Sequence, residues 1–225
     1  MGSAIGGILP LAIGVALSPV PIIAIVLVLG TPRARSNGLA FTFGWLIGLT
    51  IITTIMLLIG SAGGASSSGE PATWVSVLLL VLGVLLALGA VRIWHRRPAP
   101  GQEAQMPKWM QTIGAFTAVK SFGLSAALSA LNPKNLLLTV AAATTISAAG
   151  LPGGQEAISA AVFVLLGSVT ILGPLVIYIS MGERAARILD GIKAFMVAHN
   201  AAIMTVIFLL LGAKLIGNGI AGLSS

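Results

Sequence analysis

Lys134 is a lone cation in the middle of a long apolar run, flanked by amides and a proline in the stretch Asn132-Pro133-Lys134-Asn135. An ammonium group in such a place can hold an anionic ligand, or it can donate to the span-one carbonyls freed at Pro19 and Pro21. A buried charge in a bilayer is costly unless it faces a wet cavity or a counter-charge. No Asp or Glu falls inside the apolar spans drawn below, so the ligand reading of Lys134 is preferred. Asn132, Asn135 and Ser18 supply donors and acceptors at the same depth. Ser18 belongs to a second prolyl segment, Ala16-Leu17-Ser18-Pro19-Val20-Pro21, which reads almost as a copy of Ala130-Leu131-Asn132-Pro133-Lys134-Asn135. Proline inside a helix removes a hydrogen bond and clashes with the preceding turn, so Pro19, Pro21 and Pro133 are expected to break their helices. A broken helix presents a half-helix N-terminus, whose free N–H groups favour anions. Two matching breaks in two halves of one apolar chain point to a substrate site near the membrane midplane.

Two further cations are candidates for the same chemistry. Lys214 lies within the last apolar run, where a long side chain can also snorkel to the interface. Lys120 lies near the start of the fourth run and could meet an acidic headgroup on entry. His95 and His199 fall at the inner interface and read as surface residues. No nucleophile–base pair, glycine-rich phosphate loop or metal-spaced cluster is visible, so neither an enzyme nor a cofactor or metal is expected. The missing acidic residue argues against a metal-cation exporter, which needs carboxylate, thiolate or imidazole ligands.

The elements that must position these residues are membrane spans. The chain has 225 residues, 57% hydrophobic and 8% charged, with mean hydropathy +1.07. A soluble domain carries about 25% charged residues, so that class is excluded. Cysteine is absent, which excludes disulfides and thiolate sites. Apolar runs of about 20 residues recur along the chain, giving expected spans at 5–30, 38–60, 74–95, 115–148, 157–180 and 200–221. The fourth run is too long for one straight crossing, which is placed from about Phe122 to Ser147. The residues Met1 to Ala4 lack a charged leader region, so the first run is taken as a retained span.

The net charge of +7 is topological rather than a nucleic-acid face. Arg33 and Arg35 lie in loop one; Arg92, Arg96, Arg97 and Lys108 in loop three; Arg184, Arg187 and Lys193 in loop five. Loops two and four carry only Glu70 and Glu156. The odd loops are therefore expected on the cytoplasmic side, with both termini outside. The turn-rich Arg96-Arg97-Pro98-Ala99-Pro100-Gly101 reads as a linker. It divides the chain into a first three-span repeat at 1–95, a linker at 96–112 and a second three-span repeat at 113–225. Lys108-Trp109-Met110 reads as an interfacial anchor. Glu183 to His199, with Ile188, Leu189, Ile192, Phe195 and Met196 on one side, reads as a short amphipathic helix on the inner surface.

The repeat has weaker echoes. Phe43-Gly44-Trp45-Leu46-Ile47-Gly48 resembles Phe163-Val164-Leu165-Leu166-Gly167, and Leu82-Gly83-Val84-Leu85-Leu86 resembles Leu211-Gly212-Ala213-Lys214-Leu215. Three spans per half implies opposed insertion, hence an all-α fold of two inverted repeats with broken helices 1 and 4. Gly44 and Gly48 form a small-residue face suited to close helix packing.

Leu29-Gly30-Thr31-Pro32-Arg33-Ala34-Arg35-Ser36-Asn37-Gly38-Leu39-Ala40-Phe41, followed by Gly44-Trp45, resembles the first cytoplasmic loop and second span of the GAP family. This is the actinobacterial glycolipid-addressing group that includes the sulfolipid-addressing proteins. Pro107-Lys108-Trp109-Met110, Lys120 and Ala130-Leu131-Asn132-Pro133-Lys134-Asn135-Leu136-Leu137-Leu138 resemble its fourth-span region. A related Asn-Pro-Lys recurs across the wider lysine-exporter superfamily. The resemblance implies a six-span inner-membrane protein that helps move cell-envelope glycolipids outward. The expectation is a transporter or flippase-like protein for an anionic lipid or lipid-linked glycan, alone, as a homo-oligomer or within a lipid-export complex. A small-solute exporter of the amino-acid type and a non-transporting accessory subunit are the alternatives.

Overall fold

The computed structural model describes residues 1–62, 66–67, 70–71, 73–97 and 108–224. The first apolar run forms α1 (Gly2–Ala16) and α2 (Pro19–Leu29), bent by 52° at the expected break. Ser18 caps α2 and Pro19 is its first residue. Proline is preorganised at that position, where its missing N–H costs nothing. The chain continues with α3 (Ala34–Ala62), a two-residue antiparallel pairing of Ser66–Ser67 with Glu70–Pro71, and α4 (Thr73–His95). Most of the expected linker, residues 98–107, lies outside the described residues. So does part of the Gly/Ser-rich second loop. A 3-10 turn over Lys108–Ala115 leads into α5 (Ala118–Ala130) and α6 (Pro133–Ala148). The last two long helices are α7 (Gly153–Met181) and α8 (Ala185–Ser224), joined at Gly182, whose φ of 55° lies in the left-handed region that glycine favours.

Among the described residues α3, α4, α7 and α8 are long and apolar enough to cross a membrane, and the bent α1–α2 pair makes a fifth if it is one span. The run expected as the fourth span is divided at the expected Pro133 break into α5 of 13 residues and α6 of 16. Each falls short of the roughly 20 residues that a lone crossing needs. Large apolar side chains such as Leu58, Leu88 and Leu210 are exposed on the long helices, as a hydrocarbon solvent permits. By contrast α2 is apolar all round and nearly all buried, packed against α3, α7 and α8. A helix without a polar face belongs in the interior.

The two most extensive helix pairings are α4 with α8 and α3 with α5. Both depend on glycine. At the α4–α8 crossing a Cβ on Gly83 would lie 2.8 Å from the Gly212 carbonyl, and one on Gly212 would lie 2.9 Å from the Gly83 carbonyl. The two Leu-Gly echoes of the sequence thus meet face to face. Gly44 and Gly48 of α3 press against Ser125 and Ser129 of α5, part of a buried serine stripe that begins at Ser121.

Two expectations are corrected. Glu183 to His199 is not a separate surface helix: from Ala185 onward it is the first part of α8, a single helix of 40 residues. At 1.5 Å per residue that is about 60 Å, twice the hydrocarbon thickness. A change from polar to apolar composition does not break a helix, and no proline lies within it. Leu189 is buried, while Ile188 and Phe195 are exposed, so the apolar side is split between protein and surroundings. Met110, expected at the interface, is buried in the core together with Ile113.

Candidate functional site

The break between α1 and α2 leaves four carbonyls at the end of α1 to be satisfied. Ile13 accepts from the Leu17 N–H at 2.8 Å. The Ser18 N–H turns back to Ala16 at 2.8 Å, which strands the Gly14 carbonyl it would serve in an unbroken helix. Lys134 Nζ donates to that carbonyl at 2.5 Å. Pro19 has no N–H for Val15, and Ser18 Oγ donates there instead at 2.5 Å. Ala16 accepts a second bond from Thr170 Oγ1 of α7, also at 2.5 Å.

The second break is built alike. The displacement that carries Pro19 onto Pro133 carries Ile13 onto Ala127 and Gly14 onto Leu128. Ala127 accepts from the Leu131 N–H at 2.8 Å, and Leu128 accepts from Asn135 Nδ2 at 3.1 Å. The first full turns also correspond: Ile22 donates to Ser18 at 3.2 Å and Leu136 donates to Asn132 at 2.9 Å. Consecutive residues of α6 therefore cap equivalent carbonyls of both breaks, Lys134 across the molecule and Asn135 on its own side. The neighbouring helices α3 and α7 pack on the breaks at corresponding positions, since Gly48 rests on Ser129 of α5 and Gly167 rests on Val15 of α1.

Four of the expected residues come together here. Lys134 Nζ also donates to Ser18 Oγ. The single Ser18 hydroxyl hydrogen is directed to Val15, with Asn135 Oδ1 3.2 Å away. Asn132 caps α6, its side chain accepting from the Lys134 backbone N–H at 3.1 Å. An ammonium group has three donors, and two are engaged within the protein. Lys134 is only 6% exposed, yet it lines a cavity of about 580 Å³.

That cavity lies between the N-termini of α2 and α6, the C-terminus of α4 and the early part of α8. Its wall includes Ser18, Asn132 and Lys134 together with Arg92, Arg96 and Arg97, with no carboxylate among its lining residues. Arg97 stacks over the Trp94 ring at 3.9 Å and donates to the Trp94 carbonyl at 3.0 Å. Among the described residues the one ion pair is elsewhere, Lys193 with Asp190 at 2.7 Å. The cavity is thus cationic without internal neutralisation. Its charge comes from side chains more than from backbone donors. Of residues 19–21 only Val20 has an N–H, and the Lys134 N–H is taken by Asn132.

The remaining candidates lie apart. Lys214 of α8 donates to the Gly7 carbonyl of α1. Lys120 is exposed in the first turn of α5, where its backbone N–H donates to the capping Thr117 at 3.4 Å. Neither lines the cavity. Three arginines that sequence reasoning assigned to topology do line it. Their signal was the spacing of Arg92 and Arg96, four residues apart and hence on one face at the end of a helix. Gly14 and Thr170 carried no signal, since a small residue and a neutral hydroxyl acquire these roles only from distant partners.

The fold and the site define a multi-pass helical membrane protein whose two broken helices meet at a buried lysine beside a cationic cavity. The chain matches the family described as Sap, sulfolipid-1-addressing protein, over residues 8–221, and it belongs to that family. No curated protein and no solved structure matches it. It is a membrane protein linked through its family to sulfolipid addressing.

Proposed function

We propose that this protein moves an anionic cell-envelope lipid or lipid-linked glycan across the inner (plasma) membrane, by a transporter or flippase-like mechanism without catalysis. The observation that carries this reading is the cavity in which Lys134 and three arginines face no carboxylate. A phosphate, sulfate or carboxylate headgroup supplies the missing negative charge. The third Lys134 donor is its inner contact, Asn132 and Ser18 orient it, and Asn135 acts from behind them, beside Ser18 and on the Leu128 carbonyl. The cavity edge supports a lipid rather than a soluble cargo. Next to Asn132, Leu131 is 74% exposed and Pro133 is exposed as well, so acyl chains can stay outside the bundle while the headgroup enters.

The paired breaks favour two inverted three-span repeats, with α1–α2 and α5–α6 as equivalent broken spans. Rocking of one repeat against the other gives alternating access. The basic loops favour a cytoplasmic position for the arginines of the cavity wall and an outer one for both termini. Lys120 serves as an entry contact and Lys214 as a contact on the outward side. The driving force is a gradient, the membrane potential or mass action.

The cavity volume favours a second reading, a small anionic solute, because sites for such ligands span about 300–1,000 Å³. Reconstitution into liposomes containing labelled anionic and neutral lipids separates the readings. The parent moves the anionic lipid faster than the neutral one, and Lys134→Gln loses that difference. Equal movement by both proteins, or none by either, overturns the lipid reading.

A further inference from the structure

Four helices that line the inner cavity, α1–α2, α4, α6 and α8, also line a second one at their other ends. It measures about 410 Å³, and its polar wall is made by Ser3, Ser76, Thr145 and Asn218. The Ser76 hydroxyl is fully buried there without a partner among the described residues. Along α6 the order is Lys134, Leu138, Thr145. Along α8 it is Met204, Leu211, Lys214, Asn218. Along α1, read from the break outward, it is Ser18, Gly14, Gly7, Ser3. Each helix therefore passes from the inner cavity through a middle layer to the outer one.

The middle layer is apolar and thin. Leu138 and Leu211 are both buried, and both rest on Gly14. A Cβ there would lie 2.9 Å from Leu138 Cδ1 and 2.5 Å from Leu211 Cδ1. Ile207 closes the same spot from one turn away on α8. Leu138 is one turn beyond Lys134, and Leu211 is one turn before Lys214. The two ammonium groups bond to the carbonyls of Gly14 and Gly7. Those carbonyls are two turns apart on α1, about 10 Å. A cation thus stands on either side of a leucine layer only a few side chains deep.

We propose that the two cavities are the two ends of one anion route, closed here by the Leu138–Leu211 layer seated on Gly14. Gly14 lets both leucines reach the α1 backbone. Lys134 and Lys214 are the successive anion contacts below and above the layer. Apolar constrictions of this kind block ions by excluding water. Opening requires that α8 carry Leu211 away from Gly14 and that Leu138 clear the same spot. The route rests on the anion-binding reading of the inner cavity, but its geometry does not depend on lipid being the cargo.

The chain has no cysteine, so single cysteines report access cleanly in sealed vesicles. With a membrane-impermeant maleimide, Ala201→Cys reacts from one side, Asn218→Cys from the other and Leu211→Cys from neither. Adding Leu138→Ala to Leu211→Cys makes that position reactive. The same double variant raises iodide flux by about tenfold or more, with no matching rise for potassium, as removal of a dewetted barrier between Lys134 and Lys214 implies. Reaction of Ala201→Cys and Asn218→Cys from the same side, or ready reaction of Leu211→Cys alone, overturns the proposal. So does a folded double variant that leaks nothing or leaks potassium equally. Should the double variant not fold, the three single cysteines still decide the matter. A parent protein that moves no lipid but gives this labelling pattern sinks the lipid reading and leaves the route standing.

Discussion

Lys134 joins the two halves of the chain by donating to the carbonyl of Gly14 at 2.5 Å, across 120 residues of sequence. The bond has three consequences. It satisfies a carbonyl that the Pro19 break strands, and it places a cation against the negative end of the α1 dipole. It also holds the ammonium group at the wall of the inner cavity with one donor unspent. A ligand can therefore be recognised without breaking the structural contact. Lys134→Met removes both functions, and its effect on stability and on transport should separate in Lys134→Arg. Arginine keeps the charge but not the compact reach to Gly14 and Ser18. Anionic lipid movement should survive in part in the arginine variant and vanish in the methionine variant, in the vesicle assay. Identical loss in both variants counts against a charge role.

Asn135 is the matching residue on the other break. Asn135→Leu leaves the Leu128 carbonyl without its cap, in a place where the side chain is fully buried. An orphaned buried acceptor costs about 1–3 kcal/mol. For a chain of this length that is on the order of 2–4 °C of melting temperature per kcal/mol. Thermal unfolding in detergent checks it, with Asn135→Asp as the variant that keeps the shape and loses the donor.

The rim arginines should act on rate rather than on fold. Arg92 and Arg96 are exposed and carry no partner among the described residues. Exposed charges steer encounter, and salt screens them within about 10 Å at 0.1 M. Arg92→Gln combined with Arg96→Gln should slow the initial movement of anionic lipid at low ionic strength. The difference from the parent should shrink in high salt, while the melting temperature stays within about 1 °C. A salt-independent defect would point to lost packing instead.

Glycines divide into two kinds, and substitution tells them apart. Gly212→Ala sets a methyl group against the Gly83 backbone at the α4–α8 crossing. Overpacking of this sort costs about 1–3 kcal/mol. A Cβ on Gly123 of α5 meets nothing within 4 Å, so Gly123→Ala should be neutral or stabilise by about 0.5–1 kcal/mol through helix propensity. Melting temperatures of the two variants should move in opposite directions or differ by several degrees.

The positions of both breaks were legible because proline acts locally: a missing N–H is a property of one residue. Lys134 was legible for a similar reason, since a charge in an apolar run must find a partner. Carbonyls freed by the first break were legible as the alternative to a ligand, but which carbonyl it would be was not. Gly14 and Thr170 become ligands of the break only through pairings more than a hundred residues apart. The arginines of loop three were counted for their sign, and a count discards the helix face on which each one lies. The continuity of α8 was missed because polarity was taken as a boundary. Backbone geometry has no such requirement, and Ala185 through Ala202 contains no strong helix breaker apart from Gly191.

Thr170 offers the strictest test of how the break is held. Its hydroxyl donates from α7 to the Ala16 carbonyl, one residue along from the Val15 carbonyl that Ser18 caps. Thr170→Val keeps the shape and removes the donor, and it should cost about 0.6–1.7 kcal/mol, the range for hydrogen bonds between membrane helices. Thr170→Ser should recover most of that loss. Ser18→Ala disturbs the neighbouring carbonyl and also withdraws an acceptor from Lys134. If the α1 terminus is one cooperative network, the double variant should depart from additivity by at least about 0.5 kcal/mol. Strict additivity would mean that each carbonyl is satisfied independently. In that case α7 could move away from α1 without disturbing Lys134.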